Sequence, residues 1–248
     1  MANIIQLNKK KRKLNVGVII QARMTSKRFP GKSMALLEDV PVIAHVINRC
    51  LDIRPKTMVV VAVPDTDASE PIIEFVNNNY HPTKVQNFCG PENNVLERYY
   101  TAALYFNFDV IMRITGDCPY INPKISSEVL ELLLDKGYDY TSNVHPERTF
   151  PKGLDTEVFT LDCLEAAYFA WKETDRENQI SAKFGGLSQK LAYDAEHVTP
   201  WMQNHPEITR GLVKQKINKS DVNLCIDEPG DIERVLALTK KPDLKVIK

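Results

Sequence analysis

Apolar residues along the chain fall into short runs separated by segments of helical spacing. Val16-Gly17-Val18-Ile19-Ile20, Met58-Val59-Val60-Val61-Ala62-Val63 and Val110-Ile111-Met112-Arg113-Ile114 are rich in β-branched residues and lack polar alternation. Runs of this kind predict strands covered on both faces. Lys84-Val85-Gln86-Asn87-Phe88 is a weaker one. Between them, Val42, Val46, Ile47 and Cys50, then Ile72, Ile73 and Val76, then Leu96, Tyr99, Tyr100, Ala103 and Leu104 recur at three- and four-residue intervals. That spacing puts each set on one face of a helix. Strands alternating with helices from Val16 to Ile114 predict an α/β fold, a doubly wound, mostly parallel, Rossmann-like sheet. Ligands of such sheets bind beyond the carboxyl ends of the strands.

After Lys136 the rhythm changes. Tyr138 to Ser142 and Leu154 to Thr160 read as strands without a clean βαβ alternation, so 138–206 is expected to form a small substrate-facing or dimerisation subdomain inserted in the same sheet. Asp162 is expected to cap a helix through Glu165, Ala166, Phe169 and Ala170. Val222-Asn223-Leu224-Cys225-Ile226 reads as a late strand before a helix starting near Glu228. No repeat or low-complexity stretch marks a linker, which predicts one domain over 16–248 behind a basic extension, 1–15.

Composition narrows the partners. Lys+Arg 32 against Asp+Glu 32 gives a formal charge of zero, so no global field draws the protein to nucleic acid or an anionic membrane, and phosphate binding has to be local. No apolar run approaches a membrane span, and the first residues lack the pattern of a secretory signal. Lys9-Lys10-Lys11-Arg12-Lys13 reads as a solvated tail. Five scattered cysteines, with no C-x-x-C pair and no histidine at ligand spacing, predict free thiols, a reducing cytoplasm and no zinc site.

The first strand runs into Gln21-Ala22-Arg23-Met24-Thr25-Ser26-Lys27-Arg28-Phe29-Pro30-Gly31-Lys32, which gathers four cations in one short loop. Like charges this close repel, at a higher cost beside a buried sheet than in water, unless an anion neutralises them. A triphosphate is such an anion. Arginine grips phosphate oxygens in bidentate fashion, lysine acts as a point charge, and N–H groups around Ser26 and Gly31 offer an anion-binding nest. Pro30-Gly31 sets a turn that aims Lys32 back at the site. A solvated basic loop is the competing reading. Two later strand ends add carboxylates, Asp117 in Thr115-Gly116-Asp117-Cys118-Pro119 and Asp227 in Cys225-Ile226-Asp227-Glu228-Pro229. Each reads as a Mg2+ ligand or as local structure, a turn for Asp117 and a helix cap for Asp227.

The order A-R-x-x-S-x-R-x-P-G-K after a strand resembles the nucleotide loop of the cytidylyltransferases that activate sialic acids and 3-deoxy-manno-octulosonate, and above all the spore-coat-polysaccharide type. It is not a Walker A loop. The resemblance runs from about Val16 to Leu236 and implies a nucleotide-diphospho-sugar transferase fold. It also implies a cytoplasmic homodimer that takes CTP and a small-molecule acceptor. In its terms Arg23 and Lys32 hold the β- and γ-phosphates, supported by Ser26 and Arg28. Gln21, Ala22, Thr115 and Gly116 border the nucleotide, and Asp117 and Asp227 ligate Mg2+. Asn94-Val95-Leu96-Glu97-Arg98 stands where the family has D-V-L-x-R: Asn94 keeps a carbonyl for a ribose contact and loses the charge, and Arg98 is either a nucleoside contact or a helix-surface residue.

Ser142-Asn143 and Pro151-Lys152-Gly153-Leu154-Asp155-Thr156-Glu157-Val158-Phe159 resemble the family's S-N and P-x-G-x-D-x-E-V-F segments. On an extended run Asp155 and Glu157 point the same way, which suits an acceptor's hydroxyls; an exposed edge strand is the bland alternative. The continuous D-R-E-H-V-T-P of the family is split here: Asp175-Arg176-Glu177 is separated from Glu196-His197-Val198-Thr199-Pro200 by an insert at about 177–195, containing Phe184-Gly185-Gly186-Leu187-Ser188. Asn143, Asp155, Glu157, Arg176 and His197 are therefore the acceptor-side candidates. The expected reaction is in-line attack of an acceptor oxygen on the α-phosphate of CTP with loss of pyrophosphate, Mg2+ bridging the two and Arg23 and Lys32 stabilising the leaving group. A nucleotide-sugar-dependent glycosyltransferase and an inactive nucleotide-binding protein are the competing classes; no D-x-D metal motif supports the former.

Overall fold

β1 (Val16–Gln21) leads into a two-residue hairpin, β2 (Leu36–Leu37) and β3 (Val40–Pro41), and then α1 (Val42–Leu51), β4 (Met58–Pro64), α2 (Glu70–Asn79), β5 (Val85–Gly90), α3 (Val95–Tyr105) and β6 (Val110–Thr115). The second half adds α4 (Pro123–Lys136), β7 (Tyr140–Ser142), β8 (Glu157–Thr160), α5 (Leu161–Ser181), α6 (Gln189–His197), α7 (Pro200–Asn204), β9 (Arg210–Leu212) and α8 (Asp231–Thr239). The structure, a computed structural model, describes residues 13–181 and 189–240. The basic run before Lys13 and the Gly185-Gly186 loop lie outside the described residues.

The main sheet has seven strands in the order β5-β4-β1-β6-β8-β7-β9. β5, β4, β1 and β6 are mutually parallel, β8 is antiparallel to both its neighbours, and β9 is parallel to β7. From β1 the chain winds outward through β4 to β5, then returns across β1 to place β6 on its other side. That reversal opens a crevice beyond the carboxyl ends of β1 and β6, the switch point at which open α/β sheets bind ligands.

The apolar runs do what continuous hydrophobicity requires. Val18 and Ile20 of β1 pack with Val59, Val61, Met112 and Ile114 against the face covered by α1, α2 and α4. Ile19, Val60, Ala62 and Ile111 face the opposite layer, formed by α3 and α5. A third cluster, with Leu37, Leu154, Leu224, Ile226 and Val235, seats the C-terminal segment and α8 beside the crevice. Gly17 is required in β1: a Cβ there would lie 2.2 Å from the ring of Phe108.

Two expectations are corrected. Val222 to Ile226 is not a strand. It makes only an isolated bridge, Lys152 to Asn223, although Leu224 and Ile226 are buried, so its alternation encodes burial against a loop rather than sheet pairing. The cap of α5 is not Asp162, which lies in the first turn; Thr160 Oγ1 accepts from the Cys163 N–H at 3.2 Å. Elsewhere β7 and β8 are shorter than predicted, and the described residues of the insert are helical, α5 continuing to Ser181 and α6 starting at Gln189. Among the described residues no helix is long and apolar enough to cross a membrane.

Candidate active site

The loop after β1 folds back on itself. Gly31 adopts φ +76°, a left-handed conformation in which glycine carries no Cβ penalty, and Lys32 to Met34 follow as a single 3-10 turn. The Gly31 N–H donates to Met24 O at 2.8 Å and the Phe29 N–H to Ser26 Oγ at 3.4 Å. The turn therefore aims Lys32 inward as the sequence implies, but the Gly31 N–H is spent inside the loop and is no part of an anion nest. Across the switch point, Gln21 is in register with Thr115, and the Gly116 N–H donates to Gln21 O at 2.8 Å. A Cβ on Gly116 would stand 3.0 Å from both Gln21 O and Ala22 Cβ. The glycine thus allows the two strand-end loops to touch each other; that close approach is loop to loop.

Lys32 is lodged between Asp117, just beyond β6, and Asp227, in the loop before α8. Its Nζ donates to Asp117 Oδ2 at 2.6 Å and to Asp227 Oδ1 at 3.0 Å, and Arg28 Nη2 reaches the same Asp227 oxygen at 2.9 Å. Burial alone would lower the Lys32 pKa, but the facing carboxylates outweigh it and hold it above its ordinary value. Burial likewise would raise Asp117; the Lys32 charge, with hydrogen bonds from Lys32, Thr115 and Cys118, brings it below the usual carboxylate range. Asp227 is free for this role because the turn before α8 is served by another carboxylate: Asp231 Oδ2 accepts from the N–H groups of Asp227 and Glu228 at 2.8 and 2.9 Å. The helix-cap reading of Asp227 is thereby excluded. Three of the loop's four cations are paired within the chain itself, Lys32 and Arg28 with Asp117 and Asp227, and Arg23 with Glu196, whose Oε1 lies 3.4 Å from Arg23 Nη2.

Two hard carboxylates converging on one positive charge form a donor set suited to a divalent cation of the magnesium type, which takes one or two carboxylates and completes its shell with water and phosphate oxygens. Among the described residues no third His, Cys, Asp or Glu joins them. The rim is closed by the β5–α3 connection, where Glu92 Oε1 accepts from Thr25 Oγ1 at 2.7 Å. Gln21 Oε1 is buried without a partner among the described residues, an acceptor at the end of β1. Asn94 caps α3: its Oδ1 accepts from the Glu97 N–H at 3.0 Å and its Nδ2 donates to Glu97 Oε2 at 2.9 Å, so both ends of the amide are engaged. Arg98 is not a helix-surface residue. It is 2% exposed, donates from Nη1 to Pro91 O at 3.0 Å and leaves Nε without a partner, and burial lowers its pKa to about 10.

Most of the acceptor-side candidates are engaged with other residues of the chain. Asn143 is fully buried and clamps the approach to β8, donating to Leu154 O at 2.7 Å and accepting from the Thr156 N–H at 2.8 Å. Glu157 does not lie on an exposed edge strand. β8 is interior, and the carboxylate accepts from Arg113 Nη1 and Tyr140 Oη at 2.6 Å, Thr199 Oγ1 at 2.8 Å and Gln203 Nε2 at 2.9 Å. Asp155 lies outside the strand, held by both Nη atoms of Arg148 at 2.6 and 2.7 Å, and shares no partner with Glu157. Arg176 is exposed on α5, while His197 closes α6 with its ring 4.1 Å from that of Tyr193. Sequence reasoning missed Glu196, Glu92, Arg148 and the pairing of Cys118 with Cys225. The cysteines left a signal, each within two residues of a candidate metal carboxylate, and Glu196 stands in the split D-R-E-H-V-T-P segment.

Comparison with known proteins identifies the family. The chain is 31% identical over 229 residues to an uncharacterized protein of Methanocaldococcus jannaschii, covering 91% of this chain and 84% of that one. It is 26% identical over 232 residues to the spore coat polysaccharide biosynthesis protein SpsF of Bacillus subtilis, covering 90% and 85%. A solved cytidylyltransferase from Leptospira borgpetersenii superposes with a TM-score of 0.74 at 25% identity over 95% of this chain and 97% of that one. The profile described as cytidylyltransferase matches residues 17–245, nearly everything from β1 onward, and the chain belongs to the cytidylyltransferase family.

Proposed function

We propose that the protein is a Mg2+-dependent cytidylyltransferase that transfers CMP from CTP to an oxygen of a sugar, sugar acid or phosphorylated small molecule, for surface polysaccharide or glycoconjugate synthesis. The observation that carries this reading is Lys32 held between Asp117 and Asp227 at the switch point, on a loop that also bears Arg23 and Arg28. Asp117 and Asp227 would hold the metal, which supplies Lewis acidity at the α-phosphate and acceptor oxygen. Lys32 and Arg28, now paired to those carboxylates, then turn to phosphate oxygens, and Arg23 exchanges Glu196 for the outer phosphates. The new bond joins the acceptor oxygen to the α-phosphorus, the α–β phosphoanhydride bond breaks, and the cations stabilise the charge on the departing pyrophosphate. Gln21 offers its unpartnered carbonyl to a donor on the nucleotide. The family resemblance further supports a homodimer working in the cytoplasm.

The test is pyrophosphate release with each of the four nucleoside triphosphates against a panel of sugar acids, sugar phosphates and polyol phosphates. CTP with Mg2+ and one acceptor class should support turnover. Lys32→Ala and Asp117→Ala should each lower it about 10²–10³-fold, the usual cost of one charge-stabilising contact. Normal turnover in either variant contradicts the assignment. Transfer from a nucleotide sugar without pyrophosphate identifies a glycosyltransferase instead, and CTP binding without turnover on any acceptor identifies an inactive binder.

A further inference from the structure

Cys118 and Cys225 lie 107 residues apart in the chain, yet their sulfurs stand 3.8 Å apart. Cys118 directly follows Asp117, and Cys225 stands two residues before Asp227, so the thiol pair joins the two segments that present the carboxylates. Those segments already touch: the Ile226 N–H donates to Asp117 O at 2.9 Å. Cys118 Sγ lies 2.9 Å from Thr115 Oγ1 and 3.5 Å from Asp117 Oδ1. The two thiols differ in access, Cys118 being buried and Cys225 partly exposed. None of the groups around the pair, Asp117, Thr115 and Asp155 among them, gives it the ligand set of a metal centre, and among the described residues no cluster of three or more His, Cys, Asp or Glu includes it.

We infer that Cys118 and Cys225 are a peroxide-responsive dithiol that closes to a disulfide and slows the enzyme by displacing the Asp117 turn. The Cys225 sulfur attacks the peroxide O–O bond, forming an S–O bond and releasing water. The Cys118 sulfur then attacks Cys225, the S–O bond breaks, a second water leaves and the S–S bond forms. Two thiols lose two electrons and two protons, and one hydrogen peroxide becomes two waters. A disulfide requires about 2.05 Å between sulfurs, so the pair has to close by more than an ångström. Cys118 moves away from Thr115 Oγ1 and carries its chain neighbour Asp117 with it, off the position at which it meets Lys32. A shift of about 1 Å at a catalytic group costs on the order of 10²-fold in rate. A dithiol reductant reverses the closure.

The consequence for turnover rests on the cytidylyltransferase reading; bond formation does not. The experiment uses the full-length protein with the exposed Cys89 changed to serine, treated with stoichiometric hydrogen peroxide. Expected are a 2 Da loss of mass, a tryptic species seen under non-reducing conditions that joins the Cys118 and Cys225 peptides, at least a tenfold fall in pyrophosphate release, and recovery with dithiothreitol. Cys225→Ser should keep its activity under peroxide. Cys118→Ser should stop at a sulfenic acid on Cys225 that dimedone labels. Absence of the cross-linked peptide overturns the inference, and so does a cross-linked protein with unchanged turnover. If the reduced protein releases no pyrophosphate with any acceptor, the functional reading fails on its own. The dithiol is then judged by the cross-link and by Mg2+-dependent CTP binding, which an unaltered affinity after closure would count against.

Discussion

Glu157 shows how one side chain can carry a family motif and still serve the interior. It is 4% exposed, and burial alone would raise its pKa, but the Arg113 guanidinium and the hydroxyls of Tyr140 and Thr199 outweigh that and hold it below the usual range. In the unfolded chain the same carboxyl titrates near ~4.3, so the unfolded state binds the proton more readily. Stability from Glu157 is therefore fully present above that value and is lost as pH falls through the folded pKa. Glu157→Gln leaves Arg113 buried without its counter-charge and should cost about 3–5 kcal/mol at neutral pH in urea unfolding. Between pH 3 and 5 the variant should show a flatter dependence of melting temperature on pH than the wild type. A raised KM for the acceptor with wild-type stability would instead place Glu157 at the substrate. Lys32 is the opposite case: its partners are at the site, so Lys32→Ala belongs with the losses of turnover stated above.

Individual elements were legible where burial and periodicity agree. β1 is the plainest, since its continuous run predicts cover on both faces and α1, α2 and α4 on one side and α3 and α5 on the other supply it. What the run does not convey is why its second residue is glycine. Phe108, on the turn into β6, occupies the space a Cβ would need, so Gly17→Ala should destabilise by about 1–3 kcal/mol through overpacking. Phe108→Leu in the same chain should recover part of that loss, and a thermodynamic cycle on the four proteins measures the coupling. Additive effects would show that the ring and the glycine are independent. The segment 222–226 misled for a related reason: alternation reports which residues are buried, and Leu224 and Ile226 are, but the N–H groups of both go to loop carbonyls, Lys152 O and Asp117 O.

At the scale of the whole molecule, the cationic loop after β1 is held by residues from both halves of the chain. Arg23 meets Glu196 at the end of α6, and Thr25 meets Glu92 after β5. The Arg23–Glu196 pair is about half exposed on both sides and correspondingly weak, in the range of roughly 0.2–1 kcal/mol for such pairs. Glu196→Gln should free Arg23 and tighten triphosphate binding by up to about fivefold in calorimetry, with the gain shrinking at 0.5 M salt. Weaker binding in that variant would mean that Glu196 itself contacts the nucleotide. α6, most of which falls in the segment read from sequence as an insert, thus carries Glu196 from the second half of the chain to the loop.

The sequence by itself determined the layered α/β architecture, the end of β6 that carries Asp117 and the loop that gathers the cations, because these follow from local pattern and spacing. Tertiary structure alone decided who meets whom. Lys32 finds Asp117 85 residues on and Asp227 195 residues on, Glu157 is drawn inward by Arg113, and two scattered cysteines become neighbours. The order of strands in the sheet sets those encounters, and no periodicity along the chain encodes that order.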